Sequence, residues 1–280
     1  MQVESLHKTP AGHVLSSSSW LDAHFASCRV EYEALLDAAA PLQPGMCVLD
    51  AGCGSGSYLP AIRERIGGNG YLIGLDLSEA NVQCALENDA GKNDGAVAGS
   101  VTNLPFRDRS FDAVWCANTV QYFGDRELPA LFSEFQRILR PDGIVAIKDV
   151  DMTGFRISPA PAFLGLHMGE AAVTGPDVAP QSHGSLRGRQ MKRWLEHAGL
   201  VDVTQASVLI ERWGPLEGAD LQFWSEWLPY LAGVAEARGV PPEDMEVWRS
   251  VATPPLARAF VQRPDFYGCE LQVAASGRVT

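Results

Sequence analysis

At 280 residues and 46% hydrophobic content the chain can bury a sizeable core, and no run approaches the roughly 18–20 apolar residues of a membrane-spanning helix. Its 34 acidic against 22 basic residues give a formal charge of −12, a field that disfavours nucleic-acid and membrane-surface partners. Six scattered cysteines include no Cys-x-x-Cys pair, so no metal site is expected, and with no signal-like stretch in residues 1–9 the expected compartment is the cytoplasm.

Residues 1–15 carry no periodicity and are expected to be irregular. From Trp20 onward Phe25, Tyr32, Leu35, Leu36 and Ala39 recur at near-helical spacing until Pro41 and the Pro44-Gly45 turn. Residues 1–45 thus read as an N-terminal helical segment. Next come a buried strand (46–49), a helix (58–66) with Pro60 in its first turn, a strand (71–75), a helix (79–88) and a short strand (96–99). A fourth strand (111–116) follows. Leu128, Leu131, Phe132, Phe135, Ile138 and Leu139 then form a helical stripe that stops at Pro141-Asp142-Gly143, before a fifth strand (144–148).

Strands alternating with helices imply crossover connections and parallel pairing. The expected class is α/β, a doubly wound, mostly parallel seven-stranded sheet with a helical cap and insertions. The core spans 46–151. Gly-, Pro-, Ala- and Ser-rich residues 152–187 read as a lid-like insertion, 188–213 as a core helix and strand six, 214–265 as a helical cap, and 266–280 as the last strand.

The most informative stretch is Asp50-Ala51-Gly52-Cys53-Gly54-Ser55-Gly56, which joins the first strand to a helix. Glycines there permit positive φ and close approach of a ligand, and the helix N-terminus suits a phosphate or a carboxylate. A dinucleotide fingerprint needs Gly-x-Gly-x-x-Gly, but here the third glycine comes one residue early. Asp50 at the strand tip would repel a pyrophosphate and tolerate a zwitterionic, net-cationic ligand.

Asp-x-Gly-x-Gly-x-Gly after a strand resembles the first motif of the Rossmann-like (class I) methyltransferases that use S-adenosylmethionine (SAM). Four further stretches resemble that family's motifs in order: Gly74-Leu75-Asp76-Leu77-Ser78, residues 98–106 around Ser100 and Val101, residues 111–118 ending at Asn118, and Arg140-Pro141-Asp142-Gly143-Ile144. The general look is that of bacterial small-molecule enzymes, including quinone C-methyltransferases and natural-product tailoring enzymes. The resemblance implies a SAM-dependent methyltransferase acting on a small, hydrophobic or aromatic molecule at C, O or N. A SAM binder without transfer is the alternative, and homo-oligomerisation stays open.

The same resemblance implies that Asp50, Gly52, Cys53, Gly54, Gly56, Asp76, Leu77, Ser100, Val101 and Asn118 hold the cofactor, with Asp76 accepting from the ribose hydroxyls. Ser100 stands where the family often has an acid for the adenine amino group, and Leu77 offers a stacking surface. Arg29 on the first helix reads as either a solvated charge or a clamp on the cofactor's carboxylate. Gln121 and Tyr122, in the loop after strand four, are candidate substrate contacts, as are Trp224 and Trp227 in the cap. His167 is a candidate general base.

Overall fold

A computed structural model describes residues 18–88, 95–174 and 183–280. The irregular stretch expected over 1–15 and part of the expected lid lie outside the described residues. The chain opens with helix α1 (Ser18–Ala39) and continues through β1 (Cys47–Ala51), α2 (Leu59–Ile66), β2 (Tyr71–Asp76), α3 (Glu79–Asn88) and β3 (Gly95–Ala98). Strand β4 (Phe111–Ala117), a 3₁₀ turn (Val120–Tyr122), α4 (Leu128–Ile138) and β5 (Leu139–Ser158) follow. Beyond lie α5 (Leu164–Ala172), α6 (Met191–His197), β6 (Val201–Trp213), α7 (Gly218–Arg238), α8 (Pro242–Ser250), α9 (Pro254–Val261) and β7 (Tyr267–Arg278).

The strands make one seven-stranded sheet in the order β3-β2-β1-β4-β5-β7-β6. The first five strands pair in parallel, and β7 runs antiparallel to both β5 and β6. The sheet is therefore mixed. Its inner strands are apolar on both faces, so alternate residues enter different cores. Val48, Trp115 and Ala146 pack under α1 and α2, whereas Leu49, Val114 and Ile147 pack under α4 and α6. The chain builds outward from β1 to β3 and then returns to β4. That reversal leaves a crevice at the carboxyl ends of β1 and β4, where open α/β sheets bind ligands.

Strand β5 departs from expectation. It runs on to Ser158 through a register shift between Asp151 and Arg156, so residues 152–158 belong to the sheet and not to a lid. Met152, Phe155 and Ile157 enter a third core; Phe155 and Ile157 keep a strand's period of two, and the step of three from Met152 falls within the register shift. Gly154 looks like a loop residue but sits against β7, where a Cβ would come within 2.4 Å of Leu271. Helix α5 and residues 159–163, 173–174 and 183–187 are the described part of the expected lid outside the sheet.

Helices α5, α7, α8 and α9 pack with α1 around that third core, which contains Phe155, Phe223, Trp224, Trp227, Trp248 and Phe266. Trp224 and Trp227 are 2% and 6% exposed and pack ring against ring at 5.3 Å. No described helix is long and apolar enough to cross a membrane.

Candidate functional site

A cavity of about 570 Å³ opens at the carboxyl ends of β1, β2 and β4. Its floor is the glycine turn. Gly52, Gly54 and Gly56 have φ of +82°, +55° and +86°, which L side chains rarely adopt. The turn is pinned from below, since the N–H groups of Gly52 and Cys53 both donate to Leu75 O on β2. At Gly52 a Cβ would meet Thr119 Oγ1 at 2.1 Å, so only glycine lets the turn and the loop after β4 close together.

Two carboxylates face the turn. Asp76 ends β2: its Oδ2 accepts from Gly54 N at 2.9 Å, and its Oδ1 from Ser78 N at 2.9 Å and Asn81 Nδ2 at 3.2 Å. Burial still raises its pKa, against the pull of those donors. Asp50 is more extreme. Burial, helped by the nearby charge of Asp76, pushes its carboxyl up to about 8, and its buried Oδ2 has no hydrogen-bond partner. A buried acid left unpartnered is costly, and a cationic group in the cavity would supply what is missing.

The remaining walls come from three loops and α1. Leu77 stands half exposed beyond Asp76, and Ser100, Val101 and Thr102 form the edge after β3. Asn118 adopts a left-handed backbone at φ 52°, its N–H donates to Lys148 O, and its Oδ1 accepts from Lys148 Nζ at 2.9 Å. Tyr122, Phe123 and Arg126 close that side. Opposing them, α1 contributes Leu21, His24, Phe25 and Tyr32. The helix is tied to the glycine turn by Asp22, whose Oδ1 accepts from Ser55 Oγ at 2.6 Å and Ser57 Oγ at 2.8 Å.

The structure brings Asp50, Gly52, Cys53, Gly54, Asp76, Leu77, Ser100, Val101, Asn118 and Tyr122 together around this cavity. It does not bring the other candidates there. Gly56 packs against α3, where a Cβ would lie 3.1 Å from Ala85 Cβ. Arg29 points outward on α1 and pairs with Glu33 at 2.8 Å, because Cys28 and Tyr32 take the inward face. Gln121 is turned back into the loop: its N–H donates to Asp149 Oδ2 and its Nε2 to Asn118 O. His167 is held by Asp244 at 2.7 Å between α5 and α8. Trp224 and Trp227 are core packing of the cap, since their rings are spent on Phe155 and Phe223.

Sequence reasoning missed a polar cluster behind the α1 wall. His24, Cys28, Tyr32, Lys148, Glu270 and Gln272 are all buried there. Cys28 Sγ donates to Glu270 Oε1 at 2.9 Å, and Gln272 Nε2 donates to Oε2 at 3.0 Å. Lys148 Nζ sits 3.5 Å from the centre of the Tyr32 ring, a cation–π contact. The available signal was charge in apolar strands: Lys148 and Glu270 interrupt otherwise hydrophobic runs.

Against known proteins, residues 48–143 match the family model described as a methyltransferase domain. The nocamycin O-methyltransferase of Saccharothrix syringae is 35% identical over 116 residues, covering 40% of each chain. The 27-O-demethylrifamycin SV methyltransferase of Amycolatopsis mediterranei is 34% identical over 170 residues, 59% of each chain. The chain thus spans less than two thirds of the length of these curated relatives. The solved structure of a SAM-dependent methyltransferase from Aquifex aeolicus superposes with a TM-score of 0.50 at 22% identity, covering 69% of this chain and 93% of that one. Residues 48–143 thus resemble a methyltransferase domain, on a chain that shares its fold with the Aquifex aeolicus protein.

Proposed function

We propose that this protein transfers a methyl group from SAM to a small, hydrophobic or aromatic molecule, working in the cytoplasm. The observation that carries the reading is the buried Asp50, its Oδ2 without a partner, beside Asp76 in the cavity floored by the glycine turn. SAM is a zwitterion with a net positive charge, and its ammonium group would sit opposite Asp50 Oδ2, a buried oxygen with no hydrogen-bond partner. Asp76 would take the ribose hydroxyls, Leu77 would lie against the adenine, and Ser100 and Val101 would line its edge.

When bound, SAM supplies an electrophilic methyl carbon on a sulfonium whose departure leaves a neutral thioether. What the chain must add is alignment and exclusion of water. The turn and the Asn118 loop fix one partner, and Leu21, Phe25, Tyr122 and Phe123 give the other an apolar berth. The relatives named nocamycin O-methyltransferase and 27-O-demethylrifamycin SV methyltransferase support a small-molecule acceptor.

Calorimetry should show stoichiometric binding of SAM and none of NAD. Methyl-labelled SAM incubated with small-molecule extract of the host should yield labelled product and S-adenosylhomocysteine. Bound SAM that no extract consumes would favour a binder without transfer. Asp76→Ala should weaken SAM roughly ten- to hundredfold, since charge-assisted hydrogen bonds are worth about 1.5–3 kcal/mol. An unchanged dissociation constant in the folded variant would place the ribose elsewhere.

A further inference from the structure

We propose that His24 is the general base of this transfer, that its acceptor is a hydroxyl group, and that Glu270 is the positioning residue that sets the tautomer of His24. The inference rests on the methyl-transfer reading and deepens it.

His24 lines the cavity from α1. Its Nε2 lies 3.3 Å from each carboxylate oxygen of Glu270 and 2.8 Å from Tyr32 Oη. Burial pushes the Glu270 carboxyl up, but His24, Cys28 and Lys148 outweigh it and bring the group down to about 2. Glu270 is therefore an acceptor, and the proposal places the ring's proton on Nε2, which faces both carboxylate oxygens; Tyr32 Oη then stands to Nε2 as an acceptor. With Nε2 donating, Nδ1 is the nitrogen left to accept a proton. The plane of the ring is fixed as well: it stacks on Phe223 at 4.3 Å with an interplanar angle of 5°, and Trp20 packs at 5.1 Å.

Among the described residues, charged and aromatic groups approach the ring from four elements. From α1, Tyr32 contacts the ring and Cys28 donates to Glu270; from β7 comes Glu270; from β5, Lys148 lies over the Tyr32 ring. From α7 come the rings of Phe223 and Trp227, while Asp220 of that helix is tied to Ser27 and Arg212. The donors of His24, Cys28 and Glu270 lie within 4.8 Å of one another, as a metal site would require. Here, however, burial and Glu270 raise the Cys28 thiol, which stays protonated and donates to Glu270. The nearby Lys148 already supplies positive charge. The cluster is a hydrogen-bonded support for one imidazole.

A base of this kind matches one acceptor class. An activated carbon or a free amine attacks with a pair it already has, whereas a neutral hydroxyl is a poor nucleophile until its proton leaves. The acceptor O–H gives its proton to His24 Nδ1, and the oxygen pair forms the bond to the methyl carbon. The carbon–sulfur pair stays on sulfur, which becomes a neutral thioether. The resulting imidazolium rests against the Glu270 anion until water takes the proton.

The test begins with the ¹⁵N-labelled full chain loaded with S-adenosylhomocysteine and titrated from about pH 5 to 9. Long-range ¹H–¹⁵N spectra read the imidazole nitrogens, with His24 assigned by its loss in His24→Gln. The expected result is a neutral ring protonated on Nε2, and a mixture of tautomers in Glu270→Gln. A proton on Nδ1, or an imidazolium that persists throughout, overturns the proposal. So does stoichiometric binding of ZnCl₂ that Cys28→Ala abolishes. In the labelled-methyl assay with host extract, His24→Gln should lose roughly 10²–10⁴-fold in rate and the acid limb of the pH profile. SAM affinity should stay within about twofold. An intact rate overturns the assignment. Failure of the unaltered chain to bind SAM or form labelled product counts against methyl transfer itself, whereas an Nδ1 proton in a chain that does transfer counts against His24 alone.

Discussion

Replacing Glu270 by alanine should lower the unfolding free energy by about 3–5 kcal/mol, the usual cost of leaving buried charge without its partner. Glu270 is 1% exposed and Lys148 is fully buried. Burial pulls the Lys148 ammonium down to about 8, and Glu270 and Asp149 hold it from falling further. Without Glu270, Lys148 loses an attracting charge, and His24 and Cys28 lose their acceptor. The effect has a pH signature. The depressed Glu270 carboxyl, at about 2, stabilises the fold above its unfolded value of about 4.3, and that stability fades as pH falls toward 2. Urea unfolding at neutral pH measures the loss. Pairing Glu270→Gln with Lys148→Met should recover part of it, a coupling that a double-mutant cycle isolates. A cost below about 1 kcal/mol would mean the cluster is not a stabilising network.

That cluster also marks where local sequence stops being informative. The glycine turn was legible because its signals are local: a hydrophobic strand, alternate glycines at positive φ and an acid at each strand tip lie within 27 residues, Asp50 to Asp76. Tyr267–Arg278 and Val201–Trp213 were legible as strands for the same reason. The contact between His24 and Glu270 joins residues 246 apart, and no periodicity reports it. His24 looks like one more position on an amphipathic helix until β7 arrives beside it. The extension of β5 is similar. Residues 152–158 carry Thr, Gly and Ser, and become a strand because β7 supplies a partner more than a hundred residues later. Trp224 and Trp227 are a different case, because the same aromatics suit a core or a ligand cage, and it is packing that puts their rings in the core.

Asp50 should couple SAM affinity to pH, and Asp50→Asn should erase the coupling. With its carboxyl pushed up to about 8 by burial and by Asp76, Asp50 is mostly protonated near neutrality in the unliganded protein. A cationic partner requires the carboxylate, so the competent fraction, and with it the apparent affinity, falls as pH drops. SAM should bind roughly ten- to hundredfold more weakly at about pH 6 than at about pH 8. Binding should also release a proton, which calorimetry detects as a heat that varies with the ionisation enthalpy of the buffer. The same group acts oppositely on the unliganded fold. A raised carboxyl contributes stability that is complete below its unfolded value near 4 and is lost as pH rises through the folded value near 8. Each pH unit across that window removes up to about 1.4 kcal/mol. Asp50→Asn should therefore bind SAM poorly at every pH while unfolding at higher denaturant than the unaltered chain at about pH 8. The acid would then be a group that the free protein tolerates at a cost and that the ligand's charge offsets. A flat affinity between about pH 6 and 8, with no proton released, would mean that Asp50 never meets the ammonium group and that the cation lies elsewhere in the cavity.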